Sequence, residues 1–171
     1  TSRMAAGQDG AGSEALGQGV CRLVVKNCTV AHNRLNPVMP PSPGAGIHTD
    51  GCDVSIRNSI VYFNQGPAIV LVNPRSNSPV NYCDVQGGYP GAGNLDVDPL
   101  FASNGGGDYH LRSVYGRFDP ETGDWVKDNV HSRCIDAGDP DDAYEKEPVP
   151  NGLRINMGAY GNTVQASLSK V

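Results

Sequence analysis

The feature that most constrains this chain is a repetition. The stretch CRLVVKNCTVAHN, Cys21 to Asn33, lies without a gap over CDVSIRNSIVYFN, Cys52 to Asn64, 31 residues further on. Cys21/Cys52, Asn27/Asn58, Val30/Val61 and Asn33/Asn64 are identical, and Leu23/Val54, Val25/Ile56 and Lys26/Arg57 are near matches. Self-similarity at a fixed period is what stacked architectures leave in a sequence, because each unit covers the apolar face of its neighbour. Within each copy apolar residues recur at every second position, which is strand spacing. Each copy is expected to be a pair of strands bent at Asn27 or Asn58. Asparagine tolerates the left-handed backbone of such a corner, and its amide can bond to the amide one rung away.

VNYCDVQ, Val80 to Gln86, reads as a third and weaker copy after a spacing of 24. The aligned columns Val25/Ile56/Val80, Cys28/Ser59/Cys83 and Val30/Val61/Val85 are expected to point inward. Thr29/Ile60/Asp84 varies in polarity, as an outward column would. The fold class expected is all-β, a right-handed parallel β-helix with an irregular C-terminal capping module. Its parts are a Gly-rich segment over 1–19 that is flexible or pairs with a partner, rungs over 20–112, and a hairpin and cap over 113–171. The loop after Asn36 returns to the coil at Ala45 to His48, and Tyr109 to Leu111 is read as one further rung. GRFDPETGDWVKDNV has turn chemistry between Phe118 and Trp125, a hairpin whose aromatics, with Phe101, are expected to hide the last rung.

Composition agrees with short strands rather than long helices, since 22 Gly and 13 Pro in 171 residues punctuate regular structure throughout. A net charge of −5 offers no basic patch for phosphates, so no nucleic-acid partner is expected. No apolar run approaches bilayer length, so no membrane insertion is expected either. Five cysteines without C-x-x-C spacing leave the redox compartment open. Cys21 and Cys52 share a column and fall within disulfide range at the ~4.8 Å spacing of neighbouring strands, whereas Ser59 separates Cys28 from Cys83.

The stretch from NYCDVQGGYPGAGNLDVDPLF through GDYHLRS, GRFDPETGDWVKD, SRCIDAGDPDD and RINMGAYGNT resembles the C-terminal part of bacterial right-handed β-helix repeat proteins of the pectate-lyase-like superfamily. The Cys134-to-Pro140 and Asn156-to-Gly161 strings are similar to those of secreted members ending in a choice-of-anchor-type module. The resemblance covers roughly Val20 to Ser167. It implies the fold and a bacterial extracellular or cell-surface address.

Chemistry on offer is sparse. Asp96 and Asp98 alternate, and IDAGDPDD supplies Asp136, Asp139, Asp141 and Asp142. Oxygen donors clustered in loops make calcium the cofactor to consider, with Asp96, Asp98, Asp136 and Asp139 as candidate ligands. The same residues before Pro or Gly also cap turns. Lys26 and Arg57, on adjacent rungs beside the Asn corner, are the candidate binding residues, for a uronate-like ligand. His32, His48, His110 and His131 lack zinc-site spacing. Tyr62, Tyr89, Tyr115 and Tyr160 are candidates for a sugar-stacking platform.

The function expected is therefore a non-catalytic structural module. An uncapped first rung carrying unpaired backbone groups would associate head to tail with further copies into a fibre. The alternatives are a carbohydrate-binding domain or a fragment of a polysaccharide lyase or hydrolase, with polysaccharide as the partner.

Overall fold

The computed structural model describes residues 4–6, 11–16, 20–34, 46–75, 77–103 and 107–170. Among these the fold is all-β, with twelve short strands and no helix, so no described helix is long and apolar enough to cross a membrane. The first copy of the repeat supplies β3 (Val20–Lys26) and β4 (Cys28–Ala31), and the second β6 (Cys52–Arg57) and β7 (Ile60–Tyr62). The third supplies β9 (Val80–Asn81) and β10 (Asp84–Val85). These strands pair in parallel with the register of the sequence alignment: Val25 faces Ile56 and Ile56 faces Val80; Val30 faces Val61 and Val61 faces Val85. A strand position the alignment did not contain comes from β5 (Ile47–Asp50) and β8 (Ile69–Val72), also parallel, with Ile47 opposite Ile69.

Left-handed residues recur where the strands bend. Asn27, Asn58 and Tyr82 have φ of 49°, 51° and 52°. Five residues on, His32, Phe63 and Gly87 have φ of 57°, 58° and 85°. Gly51 and Asn73, which follow β5 and β8, have φ of 66° and 45°. Such a conformation costs a non-glycine residue about 1 kcal/mol or more. At Phe63 the ring stacks on His32, with centroids 5.2 Å apart and planes 11° from parallel, a contact that offsets part of this cost.

The small column has a chemical reason as well as a steric one. After the corner, Cys28 Sγ donates to the Lys26 carbonyl at 3.1 Å, Ser59 Oγ to that of Arg57 at 2.8 Å, and Cys83 Sγ to that of Asn81 at 3.1 Å. The carbonyl just before the bend thus accepts from a short donor two residues later, which a valine could not provide. The amide ladder lies at the next corner, where Asn33 N and Nδ2 both donate to Asn64 Oδ1.

Val25, Ile56, Val80, Val30, Val61 and Val85 are all buried, together with Val54, Ile47 and Ile69. Four expectations are corrected. Thr29, Ile60 and Asp84 are fully buried rather than outward, because residues 134–159 lie across that face: Gly158 N donates to the Asn58 carbonyl and Ala159 N to Thr29 Oγ1. Leu111 is no further parallel rung, since it bridges antiparallel to Phe101. The hairpin β11 (Arg117–Phe118) and β12 (Trp125–Val126) forms as expected, but Trp125 is 42% exposed and packs on Phe118 of its own hairpin. Residues 92–95 instead cover the third copy, with Tyr82 N bonded to the Ala92 carbonyl and Leu95 N to that of Cys83.

The fourth concerns the N-terminal segment. Its described parts, β1 (Met4–Ala6) and β2 (Ala11–Leu16), pair antiparallel with β4 and β3 of the same chain. Cys21 and Cys52 are joined in a disulfide across the β3–β6 pair, while Cys28, Cys83 and Cys134 are free and buried. Burial pushes the Cys28 thiol up to about 11 and the Cys83 thiol to about 12.

Candidate functional site

The two sets of residues singled out for chemistry meet in one seam. The parallel register puts Lys26 directly opposite Arg57 at the ends of β3 and β6, and the Asp-Pro-Asp-Asp turn of the closing module docks on them. Lys26 Nζ lies 3.5 Å from Asp142 Oδ1, Arg57 Nε 3.1 Å from Asp142 Oδ2, and Arg57 Nη1 3.4 Å from Asp139 Oδ2. The corner residue Asn58 completes the set: its Oδ1 accepts from Asp139 N at 2.7 Å and its Nδ2 donates to Asp142 Oδ2 at 2.6 Å. Asp139 also accepts from Asp141 N, which holds the turn in shape. Two cations that would repel across adjacent strands are thereby neutralised by two carboxylates that are themselves largely buried. The arrangement fastens the module to the repeats.

The remaining calcium candidates are each engaged elsewhere, Asp98 in its own turn and Asp96 and Asp136 with distant segments. Asp136 Oδ1 accepts from Gly152 N. Asp98 Oδ1 accepts from Leu100 N across Pro99, and Asp96 Oδ1 accepts from Gly87 N and from the Tyr62 hydroxyl. Among the described residues no group of three or more His, Cys, Asp or Glu side chains is placed to hold a metal ion.

The carboxyl that sequence reasoning missed is Asp84. It is fully buried, with Oδ1 accepting from Val97 N at 3.0 Å and Oδ2 from Cys134 Sγ at 3.2 Å. Desolvation pushes its pKa up to about 6, with Asp96 and Asp98 adding to the effect against the two hydrogen bonds. Burial and the Asp84 charge in turn hold the Cys134 thiol well above its usual range. Tyr62 is raised to about 12, by burial first and then by Asp96 and Asp84. A carboxyl of this kind has the proton affinity of an acid–base catalyst. Enclosed as it is, it links the third copy to the closing module. No local signal in the sequence pairs Asp84 with Cys134, because the two lie 50 residues apart.

A second buried network lies under the hairpin. His110 is 1% exposed; its Nδ1 sits 2.6 Å from Asp108 Oδ1, and its ring stacks 3.6 Å from that of Tyr160. Burial works against the Asp108 charge, but hydrogen bonds from the His110 ring and backbone, with Arg117, outweigh it and lower the carboxyl below its ordinary value. The other histidines are scattered: His48 is exposed on β5, His32 stacks on Phe63, and His131 approaches Ser113 Oγ at 3.3 Å. The tyrosines do not form one platform. Tyr89 packs on the core, Tyr160 on His110 and Tyr62 on a separate buried cluster that includes Ile60, Phe101 and Met157, and Tyr115 alone of the four is exposed.

Comparison with known proteins adds one finding. Residues 73–138 match a family described as disaggregatase related, a span holding the third copy, Asp84, the hairpin and the start of the closing module. No curated protein matches, and no solved structure matches.

Proposed function

We propose that this chain is a non-catalytic structural module of an extracellular or bacterial cell-surface protein, built as a right-handed parallel β-helix and closed along its flank by residues 134–160. The supporting observation is the seam. Lys26 and Arg57, the cations that would have addressed a uronate, are paired with Asp139 and Asp142 of the same chain. The three parallel strand positions and their recurrent left-handed corners support the helical reading. End-to-end assembly into a fibre would use the outer edges of β1 and β2, or would require these strands to leave β4 and β3, whose edges they occupy.

The match over 73–138 favours a second reading, in which the chain is part of, or an accessory to, a disaggregatase-like enzyme; the partner proposed for it is polysaccharide. One experiment separates the two. The full chain is incubated with uronans and neutral polysaccharides, with and without calcium, and assayed for unsaturated and reducing ends and for pull-down with the insoluble glycans. The structural reading expects no release and no retention. Release abolished by Lys26→Ala or Arg57→Ala would replace it with the enzymatic one, and retention without release with the carbohydrate-binding one.

A further inference from the structure

Glu147 is 4% exposed and lies in the middle of the closing module. One of its oxygens, Oε1, accepts from the backbone N–H of Asn156 and from that of Asn162, both at 2.8 Å. These two amides bracket the Met157–Gly161 turn, whose Met157, Gly158 and Ala159 N–H groups bond to Cys134, Asn58 and Thr29. The other oxygen, Oε2, is buried and has no hydrogen-bond partner. One carboxyl group therefore organises the turn that touches the repeats, and half of it is left without compensation.

We propose that Glu147 is a proton-controlled latch: protonated, it holds the Met157–Gly161 turn against the repeats, and ionised, it loosens that turn. In the neutral form Oε1 still accepts both N–H groups while Oε2 carries the proton. In the ionised form the charge is shared by both oxygens while donors reach only Oε1, a costly state in a buried site. The charged side chain acting on Glu147 across the module is Asp136, which opposes ionisation. Its own segment contributes Tyr144, Glu145 and Lys146, the last two exposed. Residues 148–153 carry no ionisable side chain. From the next segment Arg154 gives its guanidinium to the carbonyls of Ala137 and Gly138, and Tyr160 stacks on His110. Lys170, beyond it, is exposed. Desolvation accordingly pushes Glu147 up to about 7, against the pull of the two backbone donors.

The test is amide hydrogen exchange of the full chain at about pH 5 and about pH 8, corrected for the intrinsic base-catalysed rate, in the wild type and in Glu147→Gln. Glutamine keeps the Oε1 acceptor and cannot ionise. The wild type should lose protection at Asn156 and Asn162 by roughly tenfold or more across this range, as linkage to one shifted carboxyl requires, and Glu147→Gln should lose none. Unchanged wild-type protection, or an equal loss in the variant, overturns the latch. If Glu147→Gln does not fold, the carbon NMR titration of the wild-type carboxyl decides. A midpoint near neutrality that moves the Asn156 and Asn162 amide signals supports the latch, and a midpoint in the ordinary carboxylate range refutes it.

Discussion

Single residues control how the closing module meets the repeats. Gly158 sits in the left-handed region at φ 89°, and a Cβ there would come within 2.9 Å of both Ile60 Cδ1 and Thr29 Oγ1. Both the backbone and the space exclude a side chain, so Gly158→Val should destabilise the protein by about 2–4 kcal/mol in urea unfolding. An effect under ~1 kcal/mol would mean the module is not held against Ile60. Asp84 makes a prediction in pH. Its folded pKa of about 6 exceeds the ordinary aspartate value of 3.8, so the folded state binds the extra proton. The stability this contributes is complete below about pH 4 and is lost as pH rises through 6. Asp84→Asn should remove that limb of the stability curve, on the order of 2–3 kcal/mol. An unchanged slope between about pH 4 and 6 would show that Asp84 is not the titrating group.

At the scale of elements, the seam between the ends of β3 and β6 and the Asp139–Asp142 turn is a network of three ion pairs backed by an asparagine corner. Arg57 is partly exposed, so its pairing with Asp142 should be modest: a double-mutant cycle on Arg57→Ala and Asp142→Ala is expected to give a coupling of about 0.5–1.5 kcal/mol. Asp142→Ala alone should cost more than Lys26→Ala, because it also leaves the Asn58 amide without its acceptor. Equal costs would indicate that the Asn58 bond contributes nothing. The corners themselves were only half legible. Asn27 and Asn58 announce the left-handed conformation by residue type, whereas Phe63 adopts it at a later corner without any such signal, its ring stacked on that of His32.

The whole molecule is held in register from two sides. The Cys21–Cys52 disulfide closes a loop of 31 residues, and Cys21→Ser with Cys52→Ser should lower the unfolding free energy by up to about 3–4 kcal/mol through the entropy of the unfolded chain. No change on reduction would show that the bridge does not constrain the unfolded state. The strands β1 and β2 cover the edges of β4 and β3 that a first copy would otherwise leave open. Deleting residues 1–19 should therefore promote self-association, measured by sedimentation velocity over a range of concentrations. A truncated chain that stays monomeric would mean the exposed edge is not adhesive.

The sequence by itself determined the repeat, its register and its buried columns. Period-two spacing and a gapless alignment specify which residues stack on which, and pairing slipped by one residue would turn Val25, Ile56 and Val80 to the outside. It also determined the β11–β12 hairpin, written in its Asp-Pro and Thr-Gly turn residues. Only the tertiary structure decided what the outward faces become. Thr29, Ile60 and Asp84 follow the alternation of an exposed column, and nothing local distinguishes them from one. They are buried because a segment 50 residues beyond Asp84 brings Cys134 to it. The same long-range docking made Lys26, Arg57, Asp139 and Asp142 partners of each other. Local spacing reports the direction in which a side chain points, and burial depends on what arrives from elsewhere in the chain.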